Sequence, residues 1–236
     1  MTEVRTDRWR GALRLLLDGP QRRNALGIGT ARALRAALES EPATTLVLGS
    51  TDADIFSAGA DLKVTARVRR QISAELYACY RLMITRPGPV IAVVEGAAVG
   101  GGAQLTAAAD LRIGGPRARW QWVGPGHGLV VGGWILPALV GRGRALELTL
   151  TSPWVSADEA VSYGLLTEVH ENPWAQAARV VDHIRALDVQ AVAQLKRLSL
   201  DDGLLDRLEA ERCNNSEWDG RAPTPPGSRG RRGAAP

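Results

Sequence analysis

Short apolar runs bounded by glycine, proline and aspartate recur in the first half of the chain and predict buried β-strands. They occupy residues 11–18 (GALRLLLD), 44–50 (TTLVLGS) and 89–96 (PVIAVVEG), and the last is continuous in valine and isoleucine, as in strands covered on both faces. Between the first two runs, Leu34 and Leu38 lie at helical spacing behind Thr30, which we expect to be the N-cap of a helix over 30–39. The opening unit is therefore predicted to be strand, helix, strand.

The later part of the chain has helix signals. An alanine-rich segment, AQLTAAAD, follows three glycines and predicts a helix, and LRIG at 111–114 predicts a further strand. Ser156 and Glu159 have the spacing of a capping box, and Gly164 is expected at the C′ position of that helix. Asn172 and Pro173 are expected to open another helix as N-cap and first residue. This alternation of strands and helices predicts an α/β fold.

Composition favours one main domain followed by a tail. At 236 residues and 45% hydrophobic, the chain is long enough to bury a substantial core, and no linker composition interrupts it before residue 219. Residues 219–236 (DGRAPTPPGSRGRRGAAP) contain no apolar residue larger than alanine, so burial cannot offset the entropy of ordering them. We predict that this segment is a disordered tail.

Charge and cysteine content exclude several classes of protein. The tail has four arginines against one aspartate, a net charge of +3, which leaves +1 of the formal +4 for the rest of the chain. We therefore expect no nucleic-acid partner. RNA binding through the arginine-rich tail is the alternative that the sequence leaves open. The only cysteines, Cys79 and Cys213, have no CxxC or CxxH neighbour, so no metal site is expected. No apolar run approaches a membrane span, and we expect a cytoplasmic protein without a membrane partner.

Two turns rich in small residues are the candidate chemistry. FSAGADLK at 56–63 and EGAAVGGG at 95–102 each follow a buried strand, and neither has the G-x-G-x-x-G spacing of a dinucleotide site. Small residues at such a junction let a ligand approach main-chain N–H groups. Taken alone, each turn is also compatible with tight turning or close packing, but together they could direct two donors at one oxygen.

In combination, these segments resemble the crotonase (enoyl-CoA hydratase/isomerase) superfamily. The agreement includes FSAGADLK, the strand leading into GAAVGGGAQL about 40 residues later, and, in order, Arg23-Asn24-Ala25-Leu26, AADLRIG, GRGRALELTLT and VSADEAVSYGLLTEV. It extends from about residue 8 to 212. The resemblance implies an α/β fold built as a crotonase-like spiral of β-β-α units with a C-terminal helical region. It divides the chain into a core domain (1–188), a helical oligomerisation region (189–218) and the tail (219–236), and implies a homotrimer or a dimer of trimers.

The same resemblance implies an acyl-CoA thioester as the ligand, with coenzyme A as part of the substrate and no separate cofactor. By matching position, the amides of Ala58 and Gly101 are expected to form an oxyanion hole, which would stabilise the charge that an enolate places on the thioester oxygen. The remaining residues that it implies in coenzyme A binding are Arg22, Arg23, Ala25, Ala60, Asp61, Leu62, Lys63 and Gly124.

The chain departs from the hydratase pattern at both glutamates that hold a water in that family. Gln104 stands at the first position and Gly124 at the second, and no carboxylate lies between Asp110 and Glu147. Glutamine can orient a group but cannot take up a proton near neutral pH, so ordinary hydration is not expected. His127 is the remaining candidate acid or base, although a lone histidine beside glycines is often only a loop residue.

Two functions remain open on this basis. The first is an enzyme of the enoyl-CoA hydratase/isomerase family, a lyase or isomerase that stabilises a thioester enolate and acts as a decarboxylase or dehydratase rather than a standard hydratase. Decarboxylation fits the missing carboxylates because it needs no general base to start. The second is a non-catalytic acyl-CoA-binding protein or an inactive subunit of a mixed oligomer.

Overall fold

The computed structural model describes residues 2–200, 203–216 and 218 of the chain. Its strands are β1 (Glu3–Trp9), β2 (Ala12–Asp18), β3 (Leu46–Ser50), β4 (Ile55–Ser57), β5 (Val90–Val94), β6 (Ala97–Val99), β7 (Leu111–Gly114), β8 (Arg119–Gln121) and β9 (Val155–Ser156). Its helices are α1 (Ile28–Ser40), α2 (Ala66–Thr85), α3 (Gly101–Ala107), α4 (Leu136–Val140), α5 (Arg142–Leu150), α6 (Ala157–Ser162), α7 (Pro173–Arg185), α8 (Val189–Leu198) and α9 (Leu204–Ser216).

From β3 to β8, successive strands alternate between two sheets, which produces the spiral. One sheet has the order β1-β2-β3-β5-β7 and the other the order β4-β6-β8-β9. The pairs β2–β3, β3–β5 and β5–β7 are parallel, as are β4–β6 and β6–β8. The chain therefore places one strand in each sheet and then a helix, in the segments β3-β4-α2 and β5-β6-α3. This arrangement confirms the predicted α/β fold of β-β-α units.

The apolar runs found in the sequence form the centre of the larger sheet. All five residues of β5 are buried, as expected for a strand covered on both faces. One face packs on α1 and α2 in the main core, and the other packs on α7 through Val47, Ile91, Val93 and Val181. Trp120, Trp122 and Trp134 are fully buried and belong to the main core.

Several local predictions are confirmed by the capping geometry. Ser156 and Glu159 form a reciprocal capping box, and Asn172 accepts a hydrogen bond from the Ala175 amide as the N-cap of α7. Gly164 has φ of +80° two residues after α6 ends, where a residue with a Cβ would be strained.

The prediction for Thr30 is wrong. α1 begins at Ile28 behind Gly27, so Thr30 lies inside the first turn. Its hydroxyl is buried and donates to the Thr2 carbonyl at 2.5 Å. This bond links the residue before β1 to the first turn of α1. A hydroxyl near a helix start satisfies the N-cap pattern in sequence, but here a long-range acceptor uses it.

β1 was not foreseen, because EVRTDRW has no run of apolar residues. It is an edge strand, paired with β2 in antiparallel fashion along its whole length, and its side chains are largely exposed. The boundary at residue 188 and the oligomerising role of residues 189–218 stay predictions, and the predicted disordered tail at 219–236 lies outside the described residues. None of the helices in the described part of the chain has the length and hydropathy of a bilayer-spanning segment.

Candidate active site

A cavity of about 780 Å³, its mouth included, lies where the turn after β4 meets the start of α3. Helix α2 supplies one wall, the 123–131 segment another, and the end of α9 closes part of the third. The lining includes the predicted site residues Ala58, Ala60, Asp61, Leu62, Gly101, Gln104, Gly124 and His127, together with Arg69, Arg70, Tyr77, Tyr80, Asn215 and Trp218, which the sequence reasoning did not select. Arg23, Ala25 and Lys63 are not part of the lining.

The two small-residue turns are in direct contact at this cavity. Gly59 has φ of +86°, and a Cβ at that position would lie 2.7 Å from the Val99 carbonyl oxygen and 3.2 Å from the Gly101 nitrogen. In the other direction, a Cβ on Gly101 would lie 3.5 Å from the Ala60 nitrogen. Glycine at both positions thus allows the two main chains to approach within van der Waals distance.

Hydrogen bonding within the first turn decides which amide is available. The Ala58 amide donates to the Arg23 carbonyl at 2.9 Å, and the Gly59 amide donates to the Ser57 hydroxyl at 3.1 Å. The Asp61 amide donates to the Leu26 carbonyl at 3.0 Å. Among the described residues, the Ala60 amide has no acceptor.

This pattern contradicts the predicted availability of the Ala58 amide. The N–H of Ala58 is already used inside the protein, so it is not available to a ligand, and Ala60 is the residue with a donor to offer. The Gly101 amide also has no acceptor in the described part of the chain, because it belongs to the first turn of α3. At this turn the amide without an acceptor is therefore two residues later than the one named from the sequence, and the oxyanion role of the turn stays a prediction.

The segment around Arg23 supports the turn rather than lining the cavity. Arg23 and Asn24 both have positive φ, 53° and 51°, and the buried Asn24 amide group donates to the Ile55 and Phe56 carbonyls. Nδ2 of the same side chain also donates to the Ser50 hydroxyl. These bonds hold the two residues before Ser57, and the bond from the Ala58 amide to the Arg23 carbonyl holds the residue after it.

Asp61 is the one carboxylate among the described lining residues, and it is already paired. Its Oδ2 accepts from the Arg22 guanidinium at 2.8 Å, and its Oδ1 accepts from the Lys63 amide at 2.9 Å. The Lys63 side chain is exposed and is not part of the cavity lining. Asp61 therefore stabilises the turn.

Gln104 is held with its carbonyl oxygen turned to the protein. Oε1 accepts from the Trp134 indole at 2.6 Å and from the Gly132 amide at 3.2 Å. The Nε2 group has no partner among the described residues, so it is the end of the side chain that can meet a ligand. Gln104 can donate a hydrogen bond into the cavity but cannot serve there as a base.

Gly124 excludes a carboxylate from the second hydratase position. A Cβ on Gly124 would lie 2.4 Å from Cγ2 of Val131 and 2.9 Å from the Leu129 carbonyl oxygen. Any larger residue would have to displace the 129–131 segment. His127, three residues on, is exposed at the rim of the cavity in a short 3-10 turn.

An acid that sequence reasoning missed lies behind the cavity wall. Glu211 of α9 is buried, and its carboxylate accepts from the Tyr77 hydroxyl at 2.8 Å, the Gly132 amide at 3.2 Å and the Trp134 amide at 3.0 Å. Burial raises the pKa of Glu211 to about 7, and these hydrogen bonds offset only part of that effect. No sequence signal identified it, since Tyr77 and Glu211 are 134 positions apart.

Arginines also reach the mouth of the cavity. Arg69 donates to the Leu62 carbonyl at 3.0 Å, and its guanidinium lies 5.0 Å from the centre of the Trp218 ring. Arg70 lines the same region and is exposed. These two side chains, one turn into α2, line the cavity, whereas the predicted Arg23 and Lys63 do not.

Known proteins share both the sequence pattern and this architecture. The family model described as enoyl-CoA hydratase/isomerase matches residues 9–216. The "Probable enoyl-CoA hydratase echA6" of Mycobacterium leprae is 32% identical over 210 residues, covering 85% of this chain and 84% of that protein. The mouse "Enoyl-CoA hydratase domain-containing protein 3, mitochondrial" is 31% identical over 199 residues, covering 78% of this chain and 65% of its own length.

Solved structures agree in fold. The crystal structure of an enoyl-CoA hydratase from Mycobacterium avium subsp. paratuberculosis superposes with a TM-score of 0.80 at 25% identity, covering 92% of this chain and 87% of that one. The enoyl-CoA hydratase from Bacillus halodurans gives 0.82 at 24% identity, covering 91% and 92%. With two facing glycine turns, a spiral of β-β-α units and a family match over residues 9–216, this chain belongs to the enoyl-CoA hydratase/isomerase (crotonase) family.

Proposed function

We propose that this chain is an acyl-CoA lyase that stabilises a thioester enolate with the amides of Ala60 and Gly101, and that its reaction is decarboxylation of a malonyl-type thioester. The observation that carries this proposal is the pair of unpartnered amides at adjoining turns beside one cavity. A preorganised donor lowers the barrier by ~2.7–4 kcal/mol when it meets the charge that develops on the thioester oxygen.

The acid–base groups at the cavity favour decarboxylation over hydration. Hydration must activate a water with a base, but the two hydratase positions are Gln104 and Gly124, and Asp61 is engaged by Arg22. In decarboxylation the bond between the α-carbon and the carboxylate carbon breaks, carbon dioxide leaves, and the electron pair enters the enolate. One proton then adds to the α-carbon. No base is required at the first step.

The coenzyme A moiety is proposed to enter past α2. Arg69 and Arg70 supply positive charge at the cavity mouth for the phosphates, and Leu62 with Asp61 provides the main chain beside the nucleotide. Replacing Arg70 by alanine is expected to raise the Kd for propionyl-CoA about tenfold, more at low than at high salt, while leaving the rate at saturation unchanged. Arg81 of the same helix, which is exposed and lies outside the lining, is the matched control.

A trimer, or a dimer of trimers, is proposed as the assembly, with residues 189–218 at the interface. The support is α8, which leaves Val189, Leu195 and Leu198 at 60%, 67% and 74% exposure. Leu195→Asp is expected to shift the mass measured by light scattering toward the monomer.

A non-catalytic acyl-CoA-binding protein is the second candidate. The observation that favours it is the pairing of Asp61, which leaves no unpaired carboxylate on the described lining. Such a protein would bind propionyl-CoA in calorimetry and convert neither methylmalonyl-CoA nor crotonyl-CoA.

The decisive experiment compares proline at two positions of one turn. Ala60→Pro removes the proposed donor without breaking a hydrogen bond, whereas Ala58→Pro breaks the bond to the Arg23 carbonyl. We expect Ala60→Pro to convert methylmalonyl-CoA to propionyl-CoA ~10²–10³-fold more slowly, with the Kd for propionyl-CoA within a few-fold of the wild type. Ala58→Pro should instead lower stability toward urea.

The outcomes separate the candidates. Loss of turnover in Ala60→Pro with retained binding supports the proposed donor. Crotonyl-CoA hydration without decarboxylation by the unmodified chain would contradict the proposed reaction, and tight binding without turnover of either thioester would favour the carrier.

A further inference from the structure

Three polar side chains meet in the apolar wall between α2 and α9. Tyr77, Glu211 and Asn215, here called the buried polar cluster, are each 5% exposed or less. Glu211 and Asn215 are four residues apart on α9 and therefore on one face of it, against Tyr77 of α2. Tyr77 and Asn215 also line the cavity that holds Gly101. The cluster thus connects a buried acid to the proposed acyl site.

The Tyr77 hydroxyl is oriented from two sides. Its oxygen accepts from Asn215 Nδ2 at 2.8 Å, and it lies 2.8 Å from Glu211 Oε1. Asn215 is itself fixed, because Nδ2 donates to the Val130 carbonyl and Oδ1 accepts from the Val130 amide. With Asn215 as a fixed donor, the hydroxyl proton either points to an ionised Glu211 or, when Glu211 carries the proton, is free to point elsewhere.

Glu211 has the surroundings of a group that changes charge. The main-chain amides of Gly132 and Trp134 donate to its carboxylate and stabilise the charged form, and the Gly132 amide is shared with Gln104. The hydrogen bonds described for this carboxylate all come from neutral groups, namely these two amides and the Tyr77 hydroxyl. Burial opposes the charged form and brings the pKa of Glu211 to about 7. Both forms of the carboxyl are therefore populated at neutral pH.

We propose that the Tyr77 hydroxyl is the acid that protonates the enolate and that Glu211 returns a proton to Tyr77. This inference rests on the proposed function. The hydroxyl O–H bond breaks as the C–H bond forms at the α-carbon, and the phenolate takes the carboxyl proton of Glu211. The resulting carboxylate is held by the Gly132 and Trp134 amides until it regains a proton from water. Each turnover consumes one proton, as decarboxylation requires.

The other ionisable groups around the cluster are few. Helix α2 presents Tyr80, whose hydroxyl is committed to the Gly101 carbonyl at 3.2 Å. Helix α9 presents Arg207, whose Nε donates to the Trp134 carbonyl at 3.2 Å. The 130–134 segment has no ionisable side chain. His127, across the cavity, is the competing proton donor that the experiment must exclude.

The experiment is decarboxylation of methylmalonyl-CoA in deuterium oxide, with the configuration of the deuterated propionyl group as the readout. A fixed donor delivers deuterium to one face of the enolate, so the wild type is expected to give mainly one enantiomer. Tyr77→Phe should slow turnover ~10²-fold and give nearly equal enantiomers, because water then supplies the deuteron. His127→Gln should retain the wild-type configuration.

Glu211 is tested by a pH profile that a purely structural role would not move. The wild-type rate should fall as pH rises through about 7, and Glu211→Gln should be ~10-fold slower at pH 6 with that inflection missing. Glu209→Gln, on the exposed side of the same helix and paired only with its neighbours, is the matched control and should retain the profile.

Proton uptake separates this inference from the proposed reaction. Propionyl-CoA covering Tyr77 should exclude water and favour neutral Glu211, so calorimetry at pH 7 in two buffers should detect proton uptake in the wild type and Glu209→Gln but not in Glu211→Gln. If methylmalonyl-CoA is not turned over but this pattern of proton uptake is observed, the proposed decarboxylation is overturned, while Glu211 is supported as the titrating group of the site. Four results would overturn the inference. The deuterated product could keep its configuration in Tyr77→Phe or lose it in His127→Gln. The pH inflection of the rate could persist in Glu211→Gln, or proton uptake could be equal in Glu211→Gln and Glu209→Gln.

Discussion

Replacing Glu211 by glutamine should change how stability depends on pH. The ordinary pKa of the carboxyl is 4.5 and the folded chain raises it to about 7, a difference equivalent to about 3 kcal/mol. Because the folded state binds this proton more tightly than the unfolded state, the contribution to stability is fully present below pH 4.5 and is lost as pH rises through about 7. Between pH 5.5 and 8.5 the wild type should lose about 2 kcal/mol through this carboxyl.

Glutamine does not titrate, so it should lack that part of the slope. Glutamine also replaces one carboxylate oxygen by an N–H₂ group, which cannot accept a hydrogen bond. If Oε1 is replaced, the bonds from Tyr77 and Gly132 are lost, and if Oε2 is replaced, the bond from Trp134 is lost. Either loss should cost about 1–3 kcal/mol at every pH. The variant should therefore be less stable than the wild type at pH 5.5, and the gap should narrow by about 2 kcal/mol at pH 8.5.

Urea unfolding followed by tryptophan fluorescence at six pH values, at one protein concentration, measures this difference directly. The two proteins share every other ionisable group, so subtracting the two profiles isolates the contribution of position 211. Glu209→Gln should parallel the wild type. Parallel profiles for the wild type and Glu211→Gln would contradict this expectation, because they would mean that Glu211 has the same affinity for its proton in the folded and unfolded states.

Three further substitutions probe the frame around the site. Gly96→Ala would place a Cβ 2.1 Å from the carbonyl carbon that precedes β4, and urea unfolding should show a loss of about 1–3 kcal/mol; wild-type stability would contradict this close contact. Trp134→Phe removes the indole donor to Gln104 and should cost about 1–2 kcal/mol in the same assay, unless that bond contributes nothing. Lys196→Met leaves Asp110 without its ammonium partner at 2.7 Å and should cost ~3 kcal/mol at pH 7. That loss should shrink in acid, because burial raises the pKa of Asp110 and the carboxyl is then neutral; an equal loss at both pH values would be inconsistent with an ion pair.

Much of the fold could be predicted because its central strands follow local rules. β2, β3 and β5 are buried apolar runs, and their pattern needs no knowledge of the partner strand. The capping box at Ser156 is equally local, since its two bonds lie within four residues. Thr30 was predicted wrongly as an N-cap and β1 was not predicted, because both depend on partners elsewhere in the chain: Thr2 for Thr30, and β2 for β1.

The site shows the same division. The two turns could be found from small residues after buried strands, but the choice between Ala58 and Ala60 depends on which amide the 22–26 segment has already bound. The family resemblance pointed to the Ala58 amide, but that amide is bound to the Arg23 carbonyl, and the Ala60 amide is the one without an acceptor among the described residues. Glu211 could not be foreseen, because burial and the tertiary position of α9 decide both its contacts and its pKa.

Gln104 and Glu211 are best understood together, because they share one donor. The Gly132 amide lies 3.2 Å from Oε1 of each side chain. A carboxylate at position 104 would thus bring two acids to a single N–H in a buried wall, and repulsion would force one of them to stay protonated. With an amide at 104, the Trp134 indole and the shared N–H satisfy its oxygen, and the wall holds one acid that can alternate between charged and neutral forms. In this chain Gln104 therefore leaves Glu211 as the single acid of this wall, and Glu211 contacts the cavity-lining Tyr77, as the proposed protonation of the enolate requires.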